Sequence, residues 1–415
     1  MSKRGVDVLA ASIRLAAGID SDGDTASHDH NTHDRIDRQW KTIRFEIGCR
    51  PRCDWRERCA MGWRIQSRIE DILKKGVDLT GLNEAEAVDL LCLDLESREV
   101  YALMETANRM SREQFKDKGE NHLHIGVNVE PCPYNCRFCS LAAGAGVFVE
   151  GKEFSEEEIL RWAKTGEHQR ADALNIMTTG TYSFDRLLSI GAWLSREVTV
   201  PLVANTRDLN HREGEKLLKA GFVGAYHAVR LGEGKETPFK VERRIRTIRV
   251  LKDVGLLWMN CVEPVGPEHD APEIARLMIL AREHGATYSG VMRRINFPGS
   301  PYTDQGMISE REMARMVAVS LLVMGDAPRA HCTHEPHTAS LLAGANLFFP
   351  EVGASPRDRE ADTGEGRGKT LAACRELFME MGWNPDLPSN CFDAVGASRA
   401  SRKKIQTRTE ERAFS

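Results

Sequence analysis

The chain has 415 residues, 57 Lys and Arg against 61 Asp and Glu, and a formal net charge of −4. That balance argues against a general nucleic-acid binder. No run of about 18 apolar residues offers a transmembrane helix, and Met1 to Val8 holds no apolar stretch of signal-peptide length. Eleven cysteines are the unusual feature. Their odd number, in a chain that reads as cytoplasmic, points to metal or redox chemistry rather than a disulfide framework.

Residues 1–40 form a polar leader whose stretch from Asp20 to Asp34, with His28, His30 and His33, reads as a solvated linker. Residues 41–118 form an extension. It carries Cys49, Cys53 and Cys59, then helices with apolar residues three and four apart: Ile65, Ile69, Ile72 and Leu73, followed by Ala87, Leu90, Leu91 and Leu95. From about 120 the rhythm changes. Short apolar runs near 122–129, 172–178, 200–205, 223–229, 257–262, 287–292, 328–332 and 345–349 read as strands. Amphipathic helices are predicted between them, at 155–168, 183–195, 210–219, 242–254, 271–284 and 309–324, with a last one at 365–382. Eight strand–helix repeats over 119–385 predict a (β/α)8 TIM-type barrel, complete or nearly so, with its site at the C-terminal ends of the strands. Residues 386–415 are a loop-rich tail with a basic end from Arg399 to Arg412. Cys92 and Cys374 sit in apolar helical stretches and read as packing residues.

Two cysteine clusters carry the chemistry. Cys132-x3-Cys136-x2-Cys139 follows the first strand. Three thiolates in one tight loop can hold three corners of a [4Fe–4S] cluster. Tetrahedral zinc would want a fourth Cys or His, and none is obvious nearby. Three ligands leave one iron open to a small chelating ligand, with Phe138 beside it. The second cluster, Cys49-x3-Cys53-x5-Cys59, can hold another iron–sulfur centre; zinc or redox thiols are the rival readings. Arg50, Arg52, Arg56 and Arg58 would offset its negative charge.

The first spacing, with an aromatic before its last cysteine on a barrel pattern, resembles the radical S-adenosylmethionine (SAM) superfamily. The resemblance covers about 120–385. It implies that the open iron chelates the amino and carboxylate groups of SAM, and that the cleaved cofactor gives a 5′-deoxyadenosyl radical. Asn175 to Gly180 resembles the second-strand motif that receives the SAM amino group, which nominates Thr178, Thr179 and Gly180. Arg230 and Glu233 resemble a charged pair placed near the SAM carboxylate and ribose in the biotin-synthase-like branch. Cys261 to Gly266 and Arg294 to Pro301 resemble the segments beside adenosine, the latter nominating Asn296 and Gly299. Leu341 to Pro350 and Leu371 to Trp383 resemble the biotin- and thiamin-synthesis-associated region. Biotin synthase, methylornithine synthase, the radical enzyme of [FeFe]-hydrogenase maturation and the two-protein lipoyl synthases share that branch.

Biotin synthase proper fits poorly, because its second cluster draws cysteines from strands two, three and five. Here strands two and three carry Asn175-Ile-Met and Val203-Ala-Asn205, and only Cys261 matches. Cys261, His331, Cys332 and His334, with His337, are instead the expected catalytic or substrate-contacting group at the barrel mouth. Tyr182, Asn205, Arg207 and Arg293 are further expected substrate contacts. The N-terminal cysteines resemble the auxiliary motif of lipoyl synthase, one residue shorter, with Cys391, Ser398 or Ser401 available as a fourth ligand. The expected function is therefore sulfur insertion at an unactivated carbon, on an octanoyl chain borne by a lipoyl-carrier protein, with the second cluster as sulfur donor. The alternative is a radical rearrangement or cofactor-assembly step on a small amino acid or thiol. A non-catalytic metal scaffold is a third reading. Flavodoxin or ferredoxin is the expected electron donor, and a companion radical SAM protein a further expected partner.

Overall fold

A computed structural model describes residues 65–297, 299–358 and 369–392. Cys49, Cys53 and Cys59, the 1–40 leader, Ser398 and Ser401 lie outside the described residues. In chain order the strands are β1 (Glu120–Gly126), β2 (Asn128–Val129), β3 (Lys152–Glu153), β4 (Ala173–Met177), β5 (Leu202–Asn205) and β6 (Phe222–Tyr226). They continue with β7 (Leu257–Met259), β8 (Val262–Val265), β9 (Tyr288–Arg293), β10 (Ala330–Thr333), β11 (Leu347–Phe348) and β12 (Glu351–Gly353). The helices are α1 (Ser67–Val77), α2 (Glu84–Leu91), α3 (Arg98–Phe115), α4 (Glu156–His168), α5 (Phe184–Glu197) and α6 (His211–Lys219). After these come α7 (Val241–Asp253), α8 (Ala271–Glu283), α9 (Glu310–Met324), α10 (Thr338–Leu342) and α11 (Leu371–Glu380).

All pairings of the main sheet are parallel, and it closes. Around the barrel the order is β1, β4, β5, β6, β7, β9, β10 and β11, with β8 continuing the position of β7, and β12 that of β11. This is the eight-stranded TIM-type barrel that the sequence predicts. Parallel strands capped by helices are buried on both faces, and β1 and β4 are buried along their whole length. Ser-x-x-Glu and Asn-x-x-Glu capping boxes start α2, α4, α6 and α9, each satisfying two orphan backbone donors. Where the barrel closes, Gly126 and Gly353 let two backbones meet: a Cβ on Gly126 would stand 1.9 Å from the Ala354 carbonyl oxygen.

Helices α1 to α3 share one hydrophobic core with α8 and α9, so residues 67–115 pack on the barrel's own helices. Residues 389–392 close its N-terminal mouth. Asn390 N–H donates to Glu120 at 2.6 Å, and Cys391 and Phe392 bury themselves among the inward-facing residues. Cys391 thus lies at the opposite end of the barrel from Cys132, Cys136 and Cys139. Among the described residues no helix is long and apolar enough to cross a membrane.

Candidate active site

The β1–α4 connection carries the three cysteines, and backbone hydrogen bonds fix its shape. Cys132 N–H donates to the Leu141 carbonyl at 2.7 Å, and Ala143 N–H returns a bond to the Cys132 carbonyl at 2.9 Å. Asn135 takes the left-handed conformation (φ 49°), which asparagine tolerates better than most residues. Its Oδ1 accepts from Gly144 N–H at 2.7 Å. Ser140 N–H donates to Pro356 at 2.9 Å, tying the loop to the far end of the barrel sequence.

All three thiols line a cavity of about 1040 Å3, counted with its open mouth, at the C-terminal ends of the strands. Phe138, Thr178, Thr179, Gly180 and Arg230 share that wall, as do Asn205, Arg207 and Arg293. Burial, with Cys136 and Cys132 beside it, pushes the Cys139 thiol up to about 12. Burial also raises Cys136. Thiols this hard to ionise become thiolates only when a cationic centre takes them. Among the described residues the wall holds no histidine and no fourth cysteine. The donor set therefore fits a cluster with one open metal corner better than a closed tetrahedral zinc site.

Beside the thiols, Gly180 is required by space: a Cβ there would meet the Tyr134 ring at 2.6 Å. Thr179 is locked in place. Its N–H donates to Asn128 Oδ1 at 3.0 Å, Asn128 Nδ2 donates to its hydroxyl at 2.8 Å, and that hydroxyl donates to Glu130. Thr181 also donates to Glu130. The N–H and the hydroxyl of Thr179 are thus both committed within the protein. Arg230 stands 5.9 Å from the Phe138 ring centroid, with Nε 3.2 Å from Glu263. Glu233 is behind the wall, holding Arg244, Thr237 and the Arg230 N–H. It supports the arginines rather than facing the cavity. Asn296 is also off the wall, its amide donating to the Tyr302 and Gly306 carbonyls at 3.2 and 3.3 Å. Gly299 lines a separate cleft of about 570 Å3 on the back of the cysteine loop.

The histidine group at the mouth is where the sequence reading needs correction. Alternation along β10 sends Ala330 and Cys332 inward, among the barrel's interior residues, and His331 outward. His331 is buried under α9, its Nε2 2.8 Å from the Val317 carbonyl, so it touches no part of the cavity. His337 caps α10, its Nδ1 accepting from Ser340 N–H at 3.2 Å. Tyr182 donates to Glu153 at 2.8 Å instead of facing the cavity. Cys261 and Cys332 are inward but lie below the cavity wall, fully enclosed with Met259, Tyr288 and Phe349. His334 is also inward. Its Nε2 bonds Glu351 at 2.8 Å, and burial, with Arg357 nearby, pushes its pKa down to about 3 and keeps it neutral.

The structure adds Glu351 and Arg357, which the sequence reading did not single out. Arg357 lines the cavity, and its Nη2 lies 2.8 Å from Glu351. Below them the Asn175 amide and the Tyr288 hydroxyl are buried against each other. The only sequence signal for Arg357 was its place just after the last barrel strand, where the loops of such barrels carry function.

No protein-family model matches the chain. It is 26% identical over 201 residues to biotin synthase of Carboxydothermus hydrogenoformans, covering 46% of this chain and 61% of that relative's length. It is 21% identical over 272 residues to biotin synthase of Caldicellulosiruptor bescii, covering 62% and 78% of the two chains. Among solved structures, methylornithine synthase (PylB) superposes with a TM-score of 0.66 at 15% identity, over 78% of this chain and 99% of that one. The [FeFe]-hydrogenase maturase HydG from Carboxydothermus hydrogenoformans gives 0.63 at 14% identity, over 86% and 85%. With its cysteine loop at the mouth of a closed barrel, the chain is similar in sequence to biotin synthases and in fold to methylornithine synthase and HydG, a likeness to the biotin-synthase-like branch of the radical SAM superfamily.

Proposed function

We propose that the chain is a radical SAM enzyme that directs its radical at a small polar substrate in the barrel mouth. One observation carries the reading: Cys132, Cys136 and Cys139 converge from a single loop on a cavity that holds no fourth cysteine or histidine among the described residues. A [4Fe–4S] cluster on these thiolates would supply one low-potential electron to the sulfonium of SAM, giving the 5′-deoxyadenosyl radical that takes hydrogen from an unactivated carbon. The chain's own residues do the rest. The Thr178–Gly180 backbone meets the amino end of SAM, Arg230 offers a cation to its carboxylate, and Phe138 packs beside it. The walls exclude water from the radical.

Arginines set in a largely apolar wall favour a small substrate with a charged group over an octanoyl chain. Arg207, Arg230, Arg244, Arg293, Arg294 and Arg357 all line the cavity, and a long acyl chain has no use for them. A flavodoxin or ferredoxin as electron donor and a reducing cytoplasm fit this chemistry. The test is anaerobic reconstitution with iron and sulfide, then SAM and dithionite. The reading predicts 5′-deoxyadenosine; its absence from a fully loaded protein overturns it.

Sulfur insertion remains the second reading, on the strength of Cys49, Cys53 and Cys59. It predicts that replacing all three by alanine abolishes sulfur addition to an octanoylated carrier peptide while SAM cleavage persists. A wild-type protein that cleaves SAM yet leaves that peptide's mass unchanged rules it out.

A further inference from the structure

The arginines of the cavity are not equivalent. Arg293 and Arg294 each grip a carboxylate with two nitrogens, those of Glu335 and Glu268. Arg207 donates to Glu213 at 2.7 Å and to the Asp208 carbonyl at 2.9 Å. Arg244 is held by Asp208 at 3.0 Å and Glu233 at 3.3 Å. Arg230 sits at the cluster end, beside Phe138. Arg357 is different: it makes one ion pair, from Nη2 to Glu351. Its Nη1 faces only the Met292 sulfur at 3.7 Å, and its Nε is buried with no partner. A guanidinium has five N–H donors, so most of those on Arg357 are uncommitted.

Its support is rigid. Glu351 is buried, and its other oxygen accepts from His334 at 2.8 Å and from Ser355 at 3.4 Å. The carboxylate is thus held by several donors, His124 Nδ1 at 3.7 Å among them, and lies behind the guanidinium. Ligand atoms of His124, His334 and Glu351 come within 4.8 Å of one another. A metal ion there would have to take Glu351 from His334 and face the guanidinium charge, so the trio reads better as a brace for Arg357. The floor around it is polar as well. His124 stands opposite Asn175 across β1 and β4; His124 Nε2 is buried without a partner, and the Asn175 amide lies against the Tyr288 hydroxyl. A buried polar atom left unpaired is costly, and a matching partner removes that cost.

We propose that Arg357 anchors a carboxylate of the substrate at the cavity floor, separately from the carboxylate of SAM. This rests on the radical SAM reading and deepens it. The substrate class is a small carboxylic acid whose acid end meets Arg357 on the cavity wall. A monoacid and its neutral isostere are suitable probes, because they differ in charge and not in shape.

The experiment is calorimetric titration of the reconstituted, SAM-loaded protein with hexanoate and with hexanamide. Wild type is expected to prefer the carboxylate by about tenfold or more, the worth of a charge-assisted hydrogen bond. Arg357→Gln should bring that preference to about one, and Arg357→Lys should leave it intermediate, since a point charge replaces the planar fork. Iron content and the urea midpoint of each variant show that it is loaded and folded. Equal preference in wild type and Arg357→Gln overturns the proposal. So does loss of hexanoate binding once SAM is added, which would assign Arg357 to SAM itself. Neither readout needs turnover, so failure here is distinct from absence of 5′-deoxyadenosine, which would sink the underlying reading.

Discussion

The cysteine loop on the cavity wall and the barrel floor beneath it are built in opposite ways. The loop takes its three thiols from eight consecutive residues, positioned by its own backbone hydrogen bonds. The floor takes His124, Asn175, His334, Glu351 and Arg357 from β1, β4, the end of β10, β12 and the loop beyond. Local geometry makes the first site, and closure of the barrel makes the second. A contiguous site survives in a sequence as spacing. A site assembled by closure leaves no spacing to read, and a shift of one residue along a strand reverses which face a side chain takes.

Predictions follow this division in descending size. Cys136→Ala removes a ligand with no substitute on the wall. It should lose cluster iron and all SAM-dependent 5′-deoxyadenosine while keeping the wild-type far-ultraviolet circular dichroism spectrum. Gly180→Val forces the Tyr134 ring away and shifts the thiol loop. The rate of 5′-deoxyadenosine formation should fall about tenfold or more, since small misplacements at a reacting centre are costly. Gly126→Ala strikes the closure instead, meeting the Ala354 carbonyl at 1.9 Å. It should lower the unfolding free energy by about 3 kcal/mol by overpacking, seen as a lower urea midpoint. His331→Ala should cost about 2 kcal/mol in the same assay through its lost bond to Val317 and the space it leaves. It should leave the rate of SAM cleavage at the wild-type value. A rate that falls with the stability unchanged would put His331 back at the cavity.

Acid titration sharpens the same contrast. Burial pushes His331 down to about 4 and His334 to about 3, so both are neutral in the fold. The unfolded chain takes up these protons below about pH 6.5. The stability due to the neutral rings is therefore whole above that pH. It is lost as pH falls toward 4, at about 1.4 kcal/mol per pH unit for each histidine. In urea midpoints measured from pH 7 to 5, His331→Gln should flatten the slope by the share of one histidine.

The barrel itself was legible almost to the residue. Predicted strands at 172–178 and 200–205 contain β4 and β5, and the predicted helix at 309–324 is α9 after its Ser309 cap. Continuous burial and capping boxes write those elements into local sequence. At the site, Cys132, Cys136, Cys139, Phe138 and Gly180 were legible for the same reason. His331 was misread because nothing in Ala330-His-Cys-Thr-His334 says which face starts inward; pairing with β9 and β11 decides it. Arg357 was passed over because its partner Glu351 and its neighbour Met292 come from separate elements.

The open corner at the cysteine loop is the central claim, and electron paramagnetic resonance of the reduced, reconstituted protein tests it most directly. Adding SAM should change the cluster's spectrum, because a cluster held by these three thiolates would leave one iron open to the cofactor; Cys136→Ala should show no such signal. A wild-type spectrum that SAM leaves unchanged would mean that the fourth corner is closed, contradicting the account.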